Sequence, residues 1–152
     1  MEDMDEILRH YGVGESFIIS AIQVKKNYEK MCAKAIEGRD LTQNEVDIML
    51  FLCHNEQIDT SAGIARYRCL SKSQVCKSVD ALTRDGYLFV RQDKKDRRYQ
   101  HLQLSERGFE IIGEIEKCRR EFLDKMREGI SEEELENFLN VLRKIRKNVT
   151  SS

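Results

Sequence analysis

The segment that decides the fold of this chain is Asp93-Lys94-Lys95-Asp96-Arg97-Arg98-Tyr99. It separates two short runs, 88–92 and 99–104, whose composition predicts two strands around a polar turn. Just upstream, apolar residues recur at helical spacing over residues 75–82 and predict a helix with one buried face. A polar helix followed at once by a hairpin with a basic tip is the local anatomy of a winged helix–turn–helix. We therefore predict a protein that binds double-stranded DNA.

Two capping patterns place further helices. Thr42 is followed three residues later by Glu45, and Ser131 by Glu134, and each pair precedes an apolar run. In this pattern the hydroxyl of the first residue and the carboxylate of the fourth cap each other's backbone amides, so a helix is predicted to begin at each place. The predicted order is helix, helix, short helix (60–66), short helix, hairpin, helix, helix.

This order predicts a mainly α fold, a winged helix–turn–helix with a two-stranded wing between terminal helical segments. We predict dimerisation helices over residues 1–40, the DNA-binding winged helix–turn–helix over residues 41–105, and further dimerisation helices over residues 106–152. The terminal helices carry apolar stripes with little core left to cover, and a two-fold homodimer is the commonest way to bury such stripes. The predicted dimer contacts are Ile7, Ile18, Ile22, Ile111, Ile115, Phe122, Leu135, Phe138, Leu139 and Leu142.

Positive charge is concentrated where the predicted helix and hairpin lie. The 152 residues carry a formal net charge of −1, but residues 66–98 hold ten Lys/Arg and four Asp, a balance of +6, which leaves −7 for the rest. Binding to nucleic acid depends on the positive charge over the contact footprint, because phosphates are neutralised there. The local excess therefore favours the DNA hypothesis over a merely solvated charged surface.

Other classes of protein are disfavoured. No apolar run approaches the roughly 18 residues that a membrane span needs, and the acidic N-terminus is unlike a secretory signal, so we expect a cytoplasmic protein without a membrane partner. Five cysteines at scattered positions do not form a disulfide framework. The sequence shows no nucleophile–base pair, phosphate-binding glycine loop or metal-ligand spacing, so we predict no enzyme activity, no cofactor and no metal site.

These motifs together resemble the MarR family of bacterial transcriptional regulators. The resemblance implies a helical homodimer whose terminal helices form the dimer layer and whose two winged lobes grip DNA. It also implies ligand binding in the crevice between the two layers, which weakens DNA binding. The resemblance extends loosely over nearly the whole chain, and the segments that match without gaps are Leu70-Ser71-Lys72-Ser73-Gln74-Val75, Val79-Asp80-Ala81-Leu82, Asp85-Gly86-Tyr87-Leu88, Asp96-Arg97-Arg98 and Leu104-Ser105-Glu106-Arg107-Gly108.

The resemblance and the side-chain chemistry together give the predicted DNA contacts. The helix just before the hairpin corresponds to the recognition helix of the family. Its first turns are expected to enter the major groove, where Gln74 can pair with adenine and Lys77 can reach guanine. At the wing, the resemblance favours Arg98 as the partner of Asp96, which structures the hairpin, and Arg97 as the side chain inserted into the minor groove. The other predicted contacts are Ser71, Lys72 and Ser73 on the helix and the phosphate-binding Lys94 and Lys95 at the wing.

Several points stay open at the level of sequence. Cys69 lies in the turn before the predicted recognition helix, and Cys76 flanks the base-reading face of that helix. Oxidation of either thiol could release DNA, although small buried thiols are the commoner use of cysteine. A winged helix can also serve as a protein-interaction module without DNA. We predict a repressor that binds a pseudo-palindromic operator with half-sites ~10 bp apart. A small aromatic effector could contact aromatic side chains that could equally belong to the core, namely Tyr11, Phe17, Tyr28, Phe51 and Phe109.

Overall fold

The computed structural model describes residue 6 and residues 9–150, so the predicted dimer contact Ile7 lies outside the described residues. Between Val13 and Thr150 the chain forms six helices and one two-stranded antiparallel sheet, a mainly helical winged-helix fold as predicted. In chain order these are α1 (Val13–Ala35), α2 (Gln43–His54), α3 (Ser61–Arg68), α4 (Lys72–Arg84), β1 (Leu88–Gln92), β2 (Gln100–Leu104), α5 (Glu106–Arg127) and α6 (Glu132–Thr150).

The chain divides into two compact units, Met1–Arg119 and Arg120–Ser152. The predicted functional boundaries at residues 40 and 105 are not the boundaries of these units and stay a prediction. The core of the first unit draws on all five helices from α1 to α5 and on both strands. It buries large apolar side chains, and each one contributes on the order of 2 kcal/mol. On α4 the predicted stripe of Val75, Val79 and Leu82 is buried, and other members include Cys32, Ile48, Met49, Leu88, Leu102 and Ile112.

Both predicted capping boxes are present. Thr42 Oγ1 accepts a hydrogen bond from the Glu45 amide at 3.4 Å, and Glu45 Oε2 accepts one from the Thr42 amide at 2.7 Å. Ser131 and Glu134 make the same exchange at 3.2 and 2.8 Å. Each box satisfies two backbone amides that have no partner within the helix, which is why the local sequence sets the start of the helix.

Helix α3 extends past its predicted end at residue 66. It begins after the cap residue Thr60 and continues to Arg68. The helix stops at Cys69, whose φ of 54° and ψ of 37° lie in the left-handed region. A residue with a Cβ pays roughly 1–2 kcal/mol for this conformation. The hydrogen bond from the Cys69 amide to the Ala65 carbonyl helps to hold it there and turns the chain toward α4.

The start of α5 is tied to the end of α4. Ser105 is buried, and its hydroxyl donates to the Gly86 carbonyl at 2.6 Å and accepts from the Gly108 amide at 3.0 Å. A Cβ on Gly108 would lie 2.4 Å from the Tyr87 carbonyl oxygen, so α5 can approach the start of the hairpin only with glycine at this position. These contacts fix the hairpin directly after α4.

Two predicted dimer contacts are core residues instead. Ile111 and Ile115 are buried in the core of the first unit, so they have almost no surface to offer a second chain. An apolar stripe on a helix shows that something covers it, and here the covering residues belong to the same chain. On α1, by contrast, Ile18 and Ile22 stay 58% and 60% exposed.

Candidate nucleic-acid interface

Helix α4 buries its apolar stripe and leaves its polar face in solvent. Ser73 and Lys77 are exposed on this face, and Lys72 begins the helix. The first turn contains no acidic residue. The positive end of the helix dipole and the Lys72 ammonium therefore both attract a phosphate to the N-terminus of α4.

A third capping box opens α4. The Gln74 amide donates to Ser71 Oγ at 3.1 Å, and the Ser71 amide donates to Gln74 Oε1 at 2.9 Å. Pairing with adenine uses both Oε1 and Nε2 of a glutamine, so Gln74 would have to leave the box to read a base. The spacing Ser71-x-x-Gln74 matches the other two boxes, so a local signal for it was present in the sequence.

The hairpin tip is ordered by a carboxylate at its first position. The strands pair from Leu88 with Leu104 to Gln92 with Gln100, so β2 begins one residue later than predicted. Asp93 Oδ1 accepts hydrogen bonds from two backbone amides of the turn, that of Lys95 at 2.7 Å and that of Asp96 at 2.8 Å. These bonds, led by that from Asp96, lower the pKa of Asp93, with a further contribution from His101.

The two adjacent arginines of the wing differ in their contacts. The Arg98 guanidinium grips Asp96 through Nε to Oδ1 at 3.0 Å and Nη2 to Oδ2 at 2.8 Å, and this pairing lowers the pKa of the carboxyl group. In the described part of the chain the Arg97 guanidinium makes no hydrogen bond or ion pair. Its backbone carbonyl is held by Gln92 Nε2 at 2.9 Å. The turn therefore presents Arg97 from a fixed backbone.

His101 of β2 joins the wing to the loop before α3, which its sequence neighbours did not indicate. Its Nδ1 lies 2.9 Å from both carboxylate oxygens of Asp59, and its Nε2 lies 3.0 Å from Asp93 Oδ2. The Leu102 amide also donates to the Asp59 carbonyl at 2.7 Å. No local pattern relates these residues, because Asp59 and His101 are 42 positions apart.

Comparison with known proteins identifies this helix and wing. Residues 39–98 match a family model described as MarR family. The match covers the helix and the tip of the wing, and it makes this part of the chain similar to the MarR family. A curated relative is the HTH-type transcriptional regulator BilQ of Clostridioides difficile (strain CD3), which is 21% identical over 127 residues, or 84% of each chain.

Solved MarR-family structures share the fold over most of the chain. The Staphylococcus aureus MarR structure, in complex with salicylate and kanamycin, is 19% identical and superposes with a TM-score of 0.75 over 92% of this chain and 94% of that one. A MarR-family regulator from Silicibacter pomeroyi is also 19% identical, with a TM-score of 0.77 over 99% of both chains. At this level of identity the likeness concerns the fold.

The five thiols of the chain lie in different environments. Cys32 is buried and Cys53 is half-buried, and burial raises the pKa of both thiols. Cys69 and Cys76 are exposed, one at the left-handed turn before α4 and the other on α4 itself. Cys32 is therefore a small buried side chain of the core, whereas the two cysteines at the predicted DNA surface are not buried.

The five aromatic residues suggested for an effector differ in their surroundings. Phe51 stacks on Tyr67 with ring centroids 6.4 Å apart. Tyr28 is half-buried, and burial raises its pKa to about 12. Phe109 is exposed at a cleft of about 500 Å³ that Leu52 and Leu102 also line. Tyr11 is exposed and Phe17 is half-buried.

The residues that the structure describes hold neither a metal-binding cluster nor a membrane-spanning helix. Within them, no cluster of His, Cys, Asp and Glu side chains has the arrangement that a metal ion requires. Within the same residues, each helix is too short or too polar to cross a membrane.

Proposed function

We propose that the chain is a MarR-family transcriptional regulator that acts in the cytoplasm as a homodimer, without enzyme activity, and binds a pseudo-palindromic duplex. In this proposal α4 enters the major groove and the hairpin tip enters the adjacent minor groove. The observation that carries it is the contrast at the wing. Arg98 pairs with Asp96, while the Arg97 guanidinium, on an ordered turn, has no hydrogen bond or ion pair with the residues that the structure describes. A free guanidinium on a braced backbone suits a narrow minor groove, whose negative potential attracts it.

The remaining contacts follow from the exposed face of α4 and from the turn. Ser73 and Lys77 lie outside the capping box, so we assign them to base edges, and Gln74 joins them only if it leaves the box. Contacts to phosphate fix the register of a protein on DNA without reading sequence. We assign these contacts to Ser71, Lys72, Lys94 and Lys95.

The dimer proposal rests on apolar surface that the chain itself leaves open. No residue of α6 is buried within the chain, and Phe138 and Leu139 are 53% and 49% exposed. In the unit Arg120–Ser152, an apolar cleft of about 710 Å³ adds contact surface. Apolar faces of this kind mark interfaces, and a closed two-fold dimer covers the same patch on both copies. We assign Phe122, Leu135, Phe138, Leu139 and Leu142 to this interface. In the first unit, we assign the exposed Ile18 and Ile22 of α1 to dimer contacts as well.

The DNA proposal is tested by selecting duplexes from a random pool and measuring their Kd at several salt concentrations. We expect a palindrome with half-sites ~10 bp apart. Arg97→Ala should weaken binding and reduce the salt slope by about 1 for each phosphate that the side chain neutralises in the wild-type complex. Arg84→Ala is the matched control, since it removes the same charge at the opposite end of α4, where Arg84 pairs with Asp85. Equal Kd and slope for Arg97→Ala and wild type would contradict the wing assignment.

The dimer proposal is tested by sedimentation equilibrium. Phe138→Asp places a charge in the exposed apolar face and should shift the protein toward monomer, since an unpaired charge is not tolerated in an apolar interface. Asn137→Asp introduces the same side chain at the exposed neighbouring position and should leave the dimer intact. A monomeric wild-type protein at micromolar concentration would refute the proposal.

A small aromatic effector that releases the repressor from DNA is the regulatory part of the proposal. It is supported by solved relatives, of which one holds salicylate and another is in a 2,4-dichlorophenol-bound form. Titration of the protein–duplex complex with salicylate, with cyclohexanecarboxylate as a non-aromatic control, tests it. Release by salicylate alone supports an aromatic effector, and retention of DNA with a panel of aromatic acids and phenols contradicts it.

Redox control through Cys69 or Cys76 is the second candidate, and the exposure of both thiols beside α4 favours it. Oxidation of an exposed thiol to a sulfenic acid or mixed disulfide would add a polar or bulky group to the DNA-facing surface. A protein-interaction module without DNA binding has no observation in its favour comparable to the ordered basic wing.

A further inference from the structure

The position of His101 shows that both of its ring nitrogens face a carboxylate. Nδ1 is 2.9 Å from the two oxygens of Asp59, and Nε2 is 3.0 Å from Asp93 Oδ2. An ionised carboxylate only accepts hydrogen bonds, and a neutral imidazole has a single N–H. Both contacts can therefore be hydrogen bonds only when the ring carries two protons and a positive charge.

The groups around His101 favour this charged form. The carboxylates of Asp59 and Asp93 hold the pKa of the imidazole above its ordinary value of 6.5, with the bond to Asp59 as the largest cause. The pKa of Asp93 is lowered, so it stays ionised. The charged group directly across the strand pair is Arg91, the register partner of His101. A raised pKa in the folded protein means that both hydrogen bonds are fully formed below pH 6.5 and that one of them breaks as the pH rises through the raised value.

The Asp93 end of this bridge is the end that loosens. At the other end, the Leu102 amide bonds to the Asp59 carbonyl at 2.7 Å, and this backbone bond does not titrate. A neutral ring that keeps its proton toward Asp59 turns the lone pair of Nε2 toward Asp93 Oδ2. The resulting repulsion acts on the carboxylate whose other oxygen holds the amides of Lys95 and Asp96.

We propose that charged His101 is a positioning residue for DNA binding, which holds the wing turn against the loop before α3 and releases it as the pH rises. The consequence for DNA rests on the proposed function. The turn carries Asp96, which grips Arg98, and it presents Arg97. Release of Asp93 therefore loosens the segment that we assign to the minor groove, although His101 itself touches no DNA.

The first experiment follows the free protein by NMR between about pH 5.5 and pH 9, the range in which a histidine with a raised pKa titrates. We expect the His101 ring to titrate above pH 6.5 and the Lys95 and Asp96 amides to shift with the same midpoint. Asp59→Asn keeps the shape of the side chain and removes its charge, so it should lower the His101 midpoint. A His101 midpoint at or below 6.5, or turn amides that do not follow it, would overturn the proposal without any reference to DNA.

The second experiment measures the Kd for a selected duplex at about pH 6 and pH 8.5. The quantity to compare is the ratio of Kd at pH 8.5 to Kd at pH 6. We expect this ratio to be about threefold larger for wild type than for His101→Gln, which is the size of effect expected for a partly exposed charged contact. His54→Gln is the matched control, because His54 faces one carboxylate, Glu116 at 3.1 Å, outside the wing. It should keep the wild-type pH dependence. A wild-type pH dependence in His101→Gln refutes the positioning role, whereas a wild-type protein that binds no duplex at either pH refutes the proposed function and leaves the NMR titration to decide the bridge.

Discussion

The Gln74 side chain has two proposed roles, capping the start of α4 and reading a base of DNA. Replacing Gln74 by alanine tests both roles. Alanine removes the acceptor of the Ser71 amide, now at 2.9 Å, and leaves the Ser71 hydroxyl bonded to the amide of residue 74. Loss of a whole cap costs about 1 kcal/mol. Half of the box is lost here and alanine is a slightly better helix former, so we expect about 0.5 kcal/mol of destabilisation. Ser71→Ala removes the hydroxyl cap itself and should cost about 1 kcal/mol.

Urea denaturation measures these changes, and Gln74→Glu supplies the control. Glutamate keeps an acceptor at the same position and restores the commoner form of the capping box. Its charge also lies near the positive end of the helix dipole, so its stability should equal or exceed that of wild type. Equal free energies of unfolding for Ser71→Ala and wild type would refute the capping argument.

The same variants test base reading. If Gln74 leaves the box to pair with adenine, Gln74→Ala should relax base preference at one position per half-site by about 1–3 kcal/mol. Ser71→Ala keeps the backbone amide that bonds to Gln74 Oε1 and leaves the Gln74 side chain unchanged, so it should preserve that preference. A selected consensus that is unaltered in Gln74→Ala would show that the side chain serves the helix alone.

Three further predictions concern the junction, the wing and the thiols. Gly108→Ala should destabilise the protein by about 1–3 kcal/mol because its Cβ would lie 2.4 Å from a backbone carbonyl. Gly113→Ala, which meets nothing within 4 Å on the same helix, should instead stabilise it by up to about 1 kcal/mol in thermal or urea unfolding. Asp96→Asn should weaken DNA binding in a Kd titration although it removes a negative charge, and tighter binding would show that the carboxylate does not order the wing. If one of these thiols is the sensor, peroxide should release DNA from wild type. The variant that lacks the sensor thiol, Cys69→Ser or Cys76→Ser, should keep its DNA. Equal release from both variants would exclude either thiol as the single sensor.

Much of the fold could be predicted because its signals are local. The Thr42 and Ser131 boxes set helix starts within four residues, and the periodicity of α4 shows which face is buried. Local signals do not show, however, which residues pack against an apolar stripe. Ile111 and Ile115 have the spacing of an interface, but the stripe they form is covered by the core of their own unit. Spacing along a helix records that a face is covered and carries no information on which chain covers it.

The site divides in the same way between local and distant contacts. The pairing of Asp96 with Arg98 spans two residues, and it is the pairing that the family resemblance implied. The bridge through His101 depends on the Asp59 loop reaching β2, which is a property of the whole winged helix. A side chain in that loop can therefore control the order of the wing without approaching DNA. The loop before α3 is thus a place where substitutions should change DNA affinity through the position of Asp93 rather than through any contact of their own.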